Sequence, residues 1–280
     1  MSDAIPLAGV IGWPASHSRS PALHGHWLAR HRLRGHYVPL EVAPDDLERA
    51  LRTLPALGFV GANVTLPHKE AADRLADVRS PTAERLGAAN TLVFRDGRIE
   101  ADNTDGFGFM ESLREAVPGW VPGRTVVLGA GGAARAVAGA LLDAGVDDLV
   151  IANRTLERAQ AVADALGGRA VPLSDGALAG ASLVINTTSM GMTGGPPLSL
   201  TLDALGPEAI AADIVYAPLE TPFLKAAAAR GARTVDGLGM LLHQARPGFA
   251  AWFGVEPRVD EALRAAALRE AVLGGAARST

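Results

Sequence analysis

The chain has 280 residues, of which 48% are hydrophobic and 20% charged, and its formal net charge is −4. This length and composition indicate a globular protein of two domains, and the slightly negative charge excludes the basic field that nucleic acids and acidic membranes attract. Without cysteine there is no disulfide, thiolate catalyst or cysteine zinc site. The chain starts without a basic segment, and its longest uncharged stretch, 176–202, is too polar to span a bilayer. Both features predict a cytoplasmic protein.

Lysine is scarce in this chain. Of 26 basic residues only Lys69 and Lys225 are lysines. An arginine side chain keeps its proton in proteins, whereas a lysine amine can lose it. The two lysines are therefore candidates for proton transfer, although drift in composition would also leave two lysines somewhere.

The first 116 residues alternate predicted strands and helices. Apolar runs, Ser-Pro and Pro-Asp helix starts and an Asp96-Gly97 turn supply the signals. Strands are predicted at 7–12, 37–42, 59–64, 91–95 and 98–101, and helices at 20–33, from 44, from 68, from 81 and at 107–116. Loops at the strand ends carry the polar residues, and such loops are where open α/β sheets bind ligands.

Five polar residues in these loops are candidate site residues. Ser18 and Ser20 stand at a helix start, which suits a carboxylate or phosphate, although Ser20 could simply be the N-cap. Lys69 follows a strand-to-helix junction. Asn90 precedes the hairpin and could be a turn residue. Asp105 precedes a helix and could cap it.

No metal site is predicted. If Gly106 is aligned with the glycine of a calcium loop, Ala101 and Ser112 take its first and last ligand positions, which excludes calcium. The histidines at 24, 26, 31 and 36 do not share one helix face at i, i+4 spacing, and no H-E-x-x-H is present.

The second half begins after a Pro/Gly-rich linker at 117–123. An apolar strand at 124–129 runs into the turn Gly129-x-Gly131-Gly132 and a helix at 132–144, the arrangement that binds a pyrophosphate. The next strand ends in Asn153-Arg154-Thr155, where an NAD site carries an acid. A guanidinium pairs with a 2′-phosphate, so the cofactor is predicted to be NADP. The alternative is a surface Arg154 beside a capping Thr155.

Further strands and helices alternate to the end of the chain. Strands are predicted at 182–187, 210–215 and 233–235, and helices from 222, at 239–253 and at 256–273. The pattern predicts an α/β protein with an N-terminal α/β domain and a C-terminal Rossmann-type, doubly wound parallel sheet. We expect a substrate-binding catalytic domain at 1–116, an NADP domain at 117–237, and C-terminal helices at 238–280 that pack back on the first domain.

These motifs together resemble the shikimate/quinate dehydrogenase family over nearly the whole chain. The matching stretches are 12–14 with 17–21 and His24, then 63–70, 87–91, 103–106, 129–133, 153–155, 186–191 and 236–245. Departures are Trp13 and Gly25, where asparagine is common in the family, and His68, where an aromatic residue is common; they bear on substrate preference.

The resemblance implies reversible NADPH-dependent reduction of 3-dehydroshikimate to shikimate in aromatic amino-acid (chorismate) biosynthesis. It implies Lys69 and Asp105 as the catalytic acid/base pair. Implied substrate ligands are Ser18, Ser20, Thr65, Asn90, Asp105, Tyr216 and Gln244. Implied NADP(H) ligands are Gly129, Ala130, Gly131, Gly132, Ala133, Asn153, Arg154, Thr155, Thr187, Met190 and Gly237.

Two alternatives stay open at this point. One is a quinate/shikimate dehydrogenase paralogue that uses NAD or both cofactors, and the other is a non-catalytic NADP-binding regulator, since fold alone does not give function. The predicted partner is a small-molecule substrate, without nucleic acid or membrane. Sequence leaves the oligomeric state open, and a homodimer is compatible with it.

Overall fold

The computed structural model describes residues 4–16 and 18–276, with side chains as far as residue 268. His17, part of the first motif above, lies outside the described residues. The chain divides into two compact units: unit 1 comprises Met1–Thr104 and Gln244–Thr280, and unit 2 comprises Asp105–His243. The sequence-based boundaries were 116/117 and 237/238.

Unit 1 is built on a mixed six-stranded sheet of strand order β2-β1-β3-β5-β6-β4. β1 pairs parallel with β2 and β3, β5 pairs antiparallel with β3 and β6, and β4 pairs parallel with β6. The strands are β1 Leu7–Gly12, β2 His36–Glu41, β3 Phe59–Val64, β4 Val78–Arg79, β5 Thr91–Arg95 and β6 Arg98–Asp102. The β5–β6 hairpin turns at Asp96 and Gly97, both at positive φ (51° and 72°), as the Asp-Gly signal predicted.

Helices cover both faces of this sheet. Ala8 and Val10 of β1 pack in one apolar cluster and Ile11 in another, so the strand is buried on both sides. The helices of unit 1 are α1 Ser20–Arg30, α2 Leu47–Thr53, α3 Lys69–Leu75 and α4 Pro81–Leu86, with 3₁₀ turns at Pro44–Asp46 and Leu54–Leu57.

Unit 2 holds a fully parallel six-stranded sheet of order β12-β11-β10-β7-β8-β9. The strands are β7 Thr125–Leu128, β8 Leu149–Asn153, β9 Arg169–Pro172, β10 Leu183–Asn186, β11 Ile210–Asp213 and β12 Arg233–Val235. This is the strand order of a doubly wound dinucleotide fold, in which the order of successive strands along the sheet reverses between β7 and β10. The predicted α/β, Rossmann-type fold class is confirmed.

The helices of unit 2 also cover both faces of its sheet. Val127 of β7 joins one apolar cluster while Val126 and Leu128 join the other. The helices are α5 Asp105–Ala116, α6 Gly132–Asp143, α7 Leu156–Leu166, α8 Pro222–Ala228 and α9 Gly237–Phe253, with a 3₁₀ turn at Asp175–Leu178. α9 continues across the 243/244 division, and α10 Glu261–Ala276 belongs to unit 1.

The structure corrects one capping assignment and one predicted helix start. The first residue of α1 is Ser20 itself and Arg19 holds the N-cap position, so Ser20 is not the N-cap. α10 begins at Glu261 instead of 256, because Pro257 disfavours helical backbone before it and the Asp260 carboxylate accepts the Leu263 N–H at 3.0 Å as the cap. In the described ranges, no helix is both long and apolar enough to cross a membrane.

Candidate catalytic and cofactor-binding sites

The start of α1 presents two serine hydroxyl groups. The Ser18 Oγ accepts the Ser20 N–H at 3.2 Å, and Ser20 is buried as the first residue of the helix. The side chain at the N-cap position, Arg19, makes no capping hydrogen bond. The Ser20 hydroxyl does not cap the helix but makes a hydrogen bond with Tyr37. A hydroxyl has one donor and two acceptor positions, so both serines keep further hydrogen-bonding capacity for a ligand.

The junction between β3 and α3 places Thr65 and Lys69. The Thr65 N–H donates to the Ile11 carbonyl at 2.8 Å, and Lys69 is the half-buried first residue of α3. The Lys69 carbonyl accepts the Ala89 N–H at 2.9 Å, which ties the lysine backbone to the segment that leads into Asn90. His68 is buried with its Nε2 2.8 Å from the Val42 carbonyl, so this departure from the family pattern has a structural partner.

Asn90 and Gln244 meet in a buried hydrogen-bond network although 154 residues separate them. The Asn90 Nδ2 donates to the Gln244 Oε1 at 3.3 Å. The Thr104 N–H donates to the Asn90 Oδ1 at 2.8 Å, and the Thr104 hydroxyl donates to the Gln244 carbonyl at 2.8 Å. Asn90 therefore does more than form a turn, because its amide joins the C-terminal segment to the hairpin.

A second layer of buried polar groups supports Asn90. The Tyr37 hydroxyl donates to the Asn63 Oδ1 at 2.7 Å, and the Asn63 Nδ2 donates to the Asn90 carbonyl at 3.1 Å. Neither Tyr37 nor Asn63 was among the predicted ligands. The sequence signal that was available is an amide in the middle of the apolar β3, since a buried amide requires partners.

In unit 2, Asp105 is the buried first residue of α5. The next residue, Gly106, lies so close to α6 that a Cβ would stand 2.6 Å from the Ala136 carbonyl oxygen and 2.9 Å from the Ala140 Cβ. This close packing of α5 on α6 fixes the helix end that carries the Asp105 carboxylate. It also explains why α5 belongs with unit 2.

The glycine turn between β7 and α6 is shaped for an anion. Gly129 has φ +115°, and a Cβ there would lie 2.8 Å from the Thr187 Oγ1. Gly131 and Gly132 have open space where a Cβ would stand. Since α6 begins at Gly132, the unpaired N–H groups of its first turn border this space, and a pyrophosphate fits both the room and the charge.

The end of β8 carries exposed positive charge. The Asn153 Nδ2 donates to the Thr155 carbonyl at 2.9 Å, and Thr155 holds the N-cap position of α7 without a side-chain capping bond. Arg154 and Arg158 are exposed, and neither forms an ion pair with any described carboxylate. Sequence reasoning missed Arg158; a second arginine four positions after the first, at a helix start, was the signal.

The carboxyl ends of β10, β11 and β12 bring the remaining unit 2 candidates to one edge of the parallel sheet. The Thr187 hydroxyl donates to the Leu128 carbonyl at 2.7 Å, beside the glycine turn. Gly237 begins α9, and a Cβ there would stand 2.4 Å from the Ile214 carbonyl oxygen. Met190 and Tyr216 lie in the loops after β10 and β11.

Comparison with known proteins identifies the family. Residues 10–92 match the family described as "Shikimate dehydrogenase substrate binding domain", and residues 113–192 match "Shikimate / quinate 5-dehydrogenase". Shikimate dehydrogenase (NADP(+)) of Rhodospirillum rubrum is 60% identical over 273 residues, covering 94% of this chain and 96% of that protein.

Solved structures agree with the sequence relatives. Shikimate 5-dehydrogenase from Thermus thermophilus, in complex with NADP(H) and shikimate, has a TM-score of 0.87 at 39% identity over 95% of this chain and 99% of its own. Quinate dehydrogenase from Corynebacterium glutamicum, in complex with NAD, has a TM-score of 0.86 at 35% identity over 94% and 98%. The chain belongs to the shikimate dehydrogenase family.

Proposed function

We propose that the protein catalyses the reversible NADP-dependent interconversion of shikimate and 3-dehydroshikimate in aromatic amino-acid biosynthesis. The observation that carries the substrate half of this proposal is the buried network of Asn90, Thr104 and Gln244 in unit 1. Such a network holds amide groups in fixed orientations, and fixed amides are suited to reading the hydroxyl groups of a small ring.

The carboxylate of the substrate is assigned to the start of α1. Ser18 and Ser20 offer hydroxyl groups there, and the N-terminal end of a helix favours a negative charge. Thr65, Asn90 and Gln244 are assigned to the ring hydroxyl groups, with Tyr216 of unit 2 as a further ligand.

Lys69 and Asp105 are assigned to proton transfer. When shikimate is oxidised, the substrate hydroxyl loses its proton to the neutral Lys69 amine, and the ammonium returns that proton to the oxygen in the reverse direction. Bound NADP⁺ supplies the acceptor for the hydride. The Asp105 carboxylate is assigned to accept a hydrogen bond from a substrate hydroxyl and so to orient it for this transfer.

NADP is assigned to unit 2. The turn from Gly129 to Ala133 would hold the pyrophosphate, and the exposed guanidinium groups of Arg154 and Arg158 would pair with the 2′-phosphate. The amide of Asn153 and the N-cap residue Thr155 complete this end of the site. The last residue of β8 is Asn153 and not an acid, so the strand end does not repel the additional phosphate.

A second candidate is a quinate dehydrogenase activity with NAD, which the similarity to the Corynebacterium glutamicum enzyme supports. The exposed arginines after β8 favour NADP instead. The first proposal also places the enzyme in the cytoplasm. Disulfides are rare in that compartment, and a chain without cysteine is compatible with it.

The purified protein should be assayed with shikimate and with quinate, each with NADP⁺ and with NAD⁺, by following the formation of reduced cofactor. Shikimate with NADP⁺ is expected to give the highest kcat/KM of the four combinations. The proposal is wrong if shikimate yields no NADPH, and the second candidate replaces it if quinate with NAD⁺ is the best pair.

A further inference from the structure

Unit 2 contains a buried carboxylate to which neither the sequence motifs nor the proposed chemistry assigns a role. Asp213 ends β11, is 2% exposed, and forms no ion pair with a described basic residue. Its register partner in the sheet is Asn186, the last residue of β10. A buried charge without a cation is costly unless hydrogen bonds satisfy it, so its donors indicate what it does.

One oxygen of Asp213 organises the loop after β10. The Asp213 Oδ1 accepts the Asn186 Nδ2 at 3.0 Å, which fixes the orientation of that amide because its oxygen would be repelled by the carboxylate. So oriented, the Asn186 Nδ2 also donates to the Met190 carbonyl at 3.1 Å. The Asn186 Oδ1 accepts the Thr188 hydroxyl at 2.7 Å, and the Thr188 Oγ1 accepts the Met190 N–H at 3.1 Å.

The same carboxylate organises the loop after β11. Its Oδ1 accepts the Val215 N–H at 2.9 Å, and its Oδ2 accepts the Thr221 hydroxyl at 2.7 Å. Thr221 is the N-cap of α8, and its Oγ1 accepts the Leu224 N–H at 3.2 Å. Both ends of the 214–221 loop are therefore attached to one side chain.

The two loops also touch each other directly. The Thr193 N–H donates to the Ala217 carbonyl at 2.8 Å. A Cβ added to Gly191, whose φ is +89°, would stand 3.8 Å from the Thr221 Cβ. The loops thus form one surface, whose shape depends on the carboxylate between them.

We infer that Asp213 is a positioning residue that holds the 187–193 and 214–221 loops in register, and with them Thr187, Met190 and Tyr216. The consequence for ligands rests on the proposed function, in which these three residues contact NADP and substrate. Asp213 itself touches neither ligand in this account; it acts through Asn186 and Thr221.

The test compares Asp213→Asn and Thr221→Val with Thr221→Ser, which keeps the hydroxyl. Asp175→Asn is the matched control, because the Asp175 Oδ1 also holds a loop of unit 2, accepting the N–H groups of Thr201 and Leu202 at 2.8 and 2.9 Å. That loop carries no predicted ligand.

Amide hydrogen exchange of the free protein tests the positioning itself. Asp213→Asn and Thr221→Val should accelerate exchange in both loops together, whereas Thr221→Ser and Asp175→Asn should leave both loops at the wild-type rate. The inference is overturned if Asp213→Asn changes only one loop, neither loop, or all of unit 2 alike. If Asp213→Asn does not fold, the contrast between Thr221→Val and Thr221→Ser decides in the same way.

Titration with NADP⁺ tests the consequence for binding. Asp213→Asn and Thr221→Val should each raise the dissociation constant for NADP⁺ about tenfold, because binding must then order loops that the wild-type protein already holds in place. The dissociation constant of the double variant should lie within about twofold of that of the weaker-binding single variant, because both substitutions break the same Asp213–Thr221 contact. Wild-type affinity for NADP⁺ in Asp213→Asn contradicts the inference. If the wild type does not reduce NADP⁺ with shikimate, the proposed function is wrong, and the hydrogen-exchange result alone then tests the role of Asp213.

Discussion

His24 should make the stability of the protein depend on pH. The residue lies in α1 and is fully buried, with its ring stacked on Tyr37 at 3.9 Å between centroids and an interplanar angle of 7°. Trp27, Phe249 and Trp252 surround it at 5.6–5.8 Å. Burial among these rings lowers the pKa of His24 to about 3 from its ordinary value of 6.5.

The direction and size of the effect follow from proton binding. Between pH 6.5 and 3 the unfolded chain protonates this imidazole while the folded protein keeps it neutral, so the unfolded state binds more protons and stability falls as the pH falls. From pH 7 to pH 5, His24 should therefore remove about 2 kcal/mol from the free energy of unfolding.

Urea unfolding at pH 7, 6 and 5 measures this loss. His24→Phe keeps an aromatic ring in the stack and cannot titrate, so the difference between wild type and variant should change by about 2 kcal/mol across that range. His36→Gln, which removes an imidazole from the exposed start of β2, is the control variant. Parallel pH dependences for wild type and His24→Phe would refute the reasoning.

Two further substitutions test the packing and the cofactor assignment. A Cβ on Gly61 would stand 2.0 Å from the Trp252 Nε1, so Gly61→Ala should destabilise the protein by about 3 kcal/mol in thermal or urea unfolding. Gly25 lies in α1 with open space where a Cβ would stand, so Gly25→Ala should instead stabilise the protein by up to about 1 kcal/mol. Equal changes in stability for the two glycine variants would contradict the packing argument. Arg154→Ala should raise the dissociation constant for NADP⁺ roughly tenfold or more and leave that for NAD⁺ unchanged. The control Arg169→Ala should change neither constant. If Arg154→Ala keeps the wild-type preference for NADP⁺ over NAD⁺, the assignment is wrong.

Local signals predicted most of the elements. The helix starts at Ser80 and Thr221 are side-chain caps in the structure, as Ser-Pro and Thr-Pro indicated. The prediction failed where a signal was short or had a competing interpretation. Two-residue β4 is too short for a periodicity, and Ser20-Pro21 looked like a cap although Arg19 holds that position.

Side-chain partners far apart in the chain lay beyond local reasoning. Asn90 could be suspected from its motif, but its bond to Gln244 depends on how the C-terminal segment returns to unit 1. Asp213 ends an apolar strand like many others, and only the register of β10 with β11 shows that Asn186 faces it. Such contacts arise from tertiary packing, which no spacing along the chain encodes.

The turnover of Lys69→Ala with shikimate and NADP⁺ tests the central claim most directly. Lys225→Ala is the matched control, since Lys225 is the only other lysine and an exposed residue paired with Glu220 at 3.4 Å. A general acid/base accounts for about 10²–10⁴ in rate, so kcat of Lys69→Ala should fall by at least about a hundredfold with a much smaller change in KM. Lys225→Ala should keep wild-type kcat, and a Lys69→Ala enzyme that also keeps it would contradict the account.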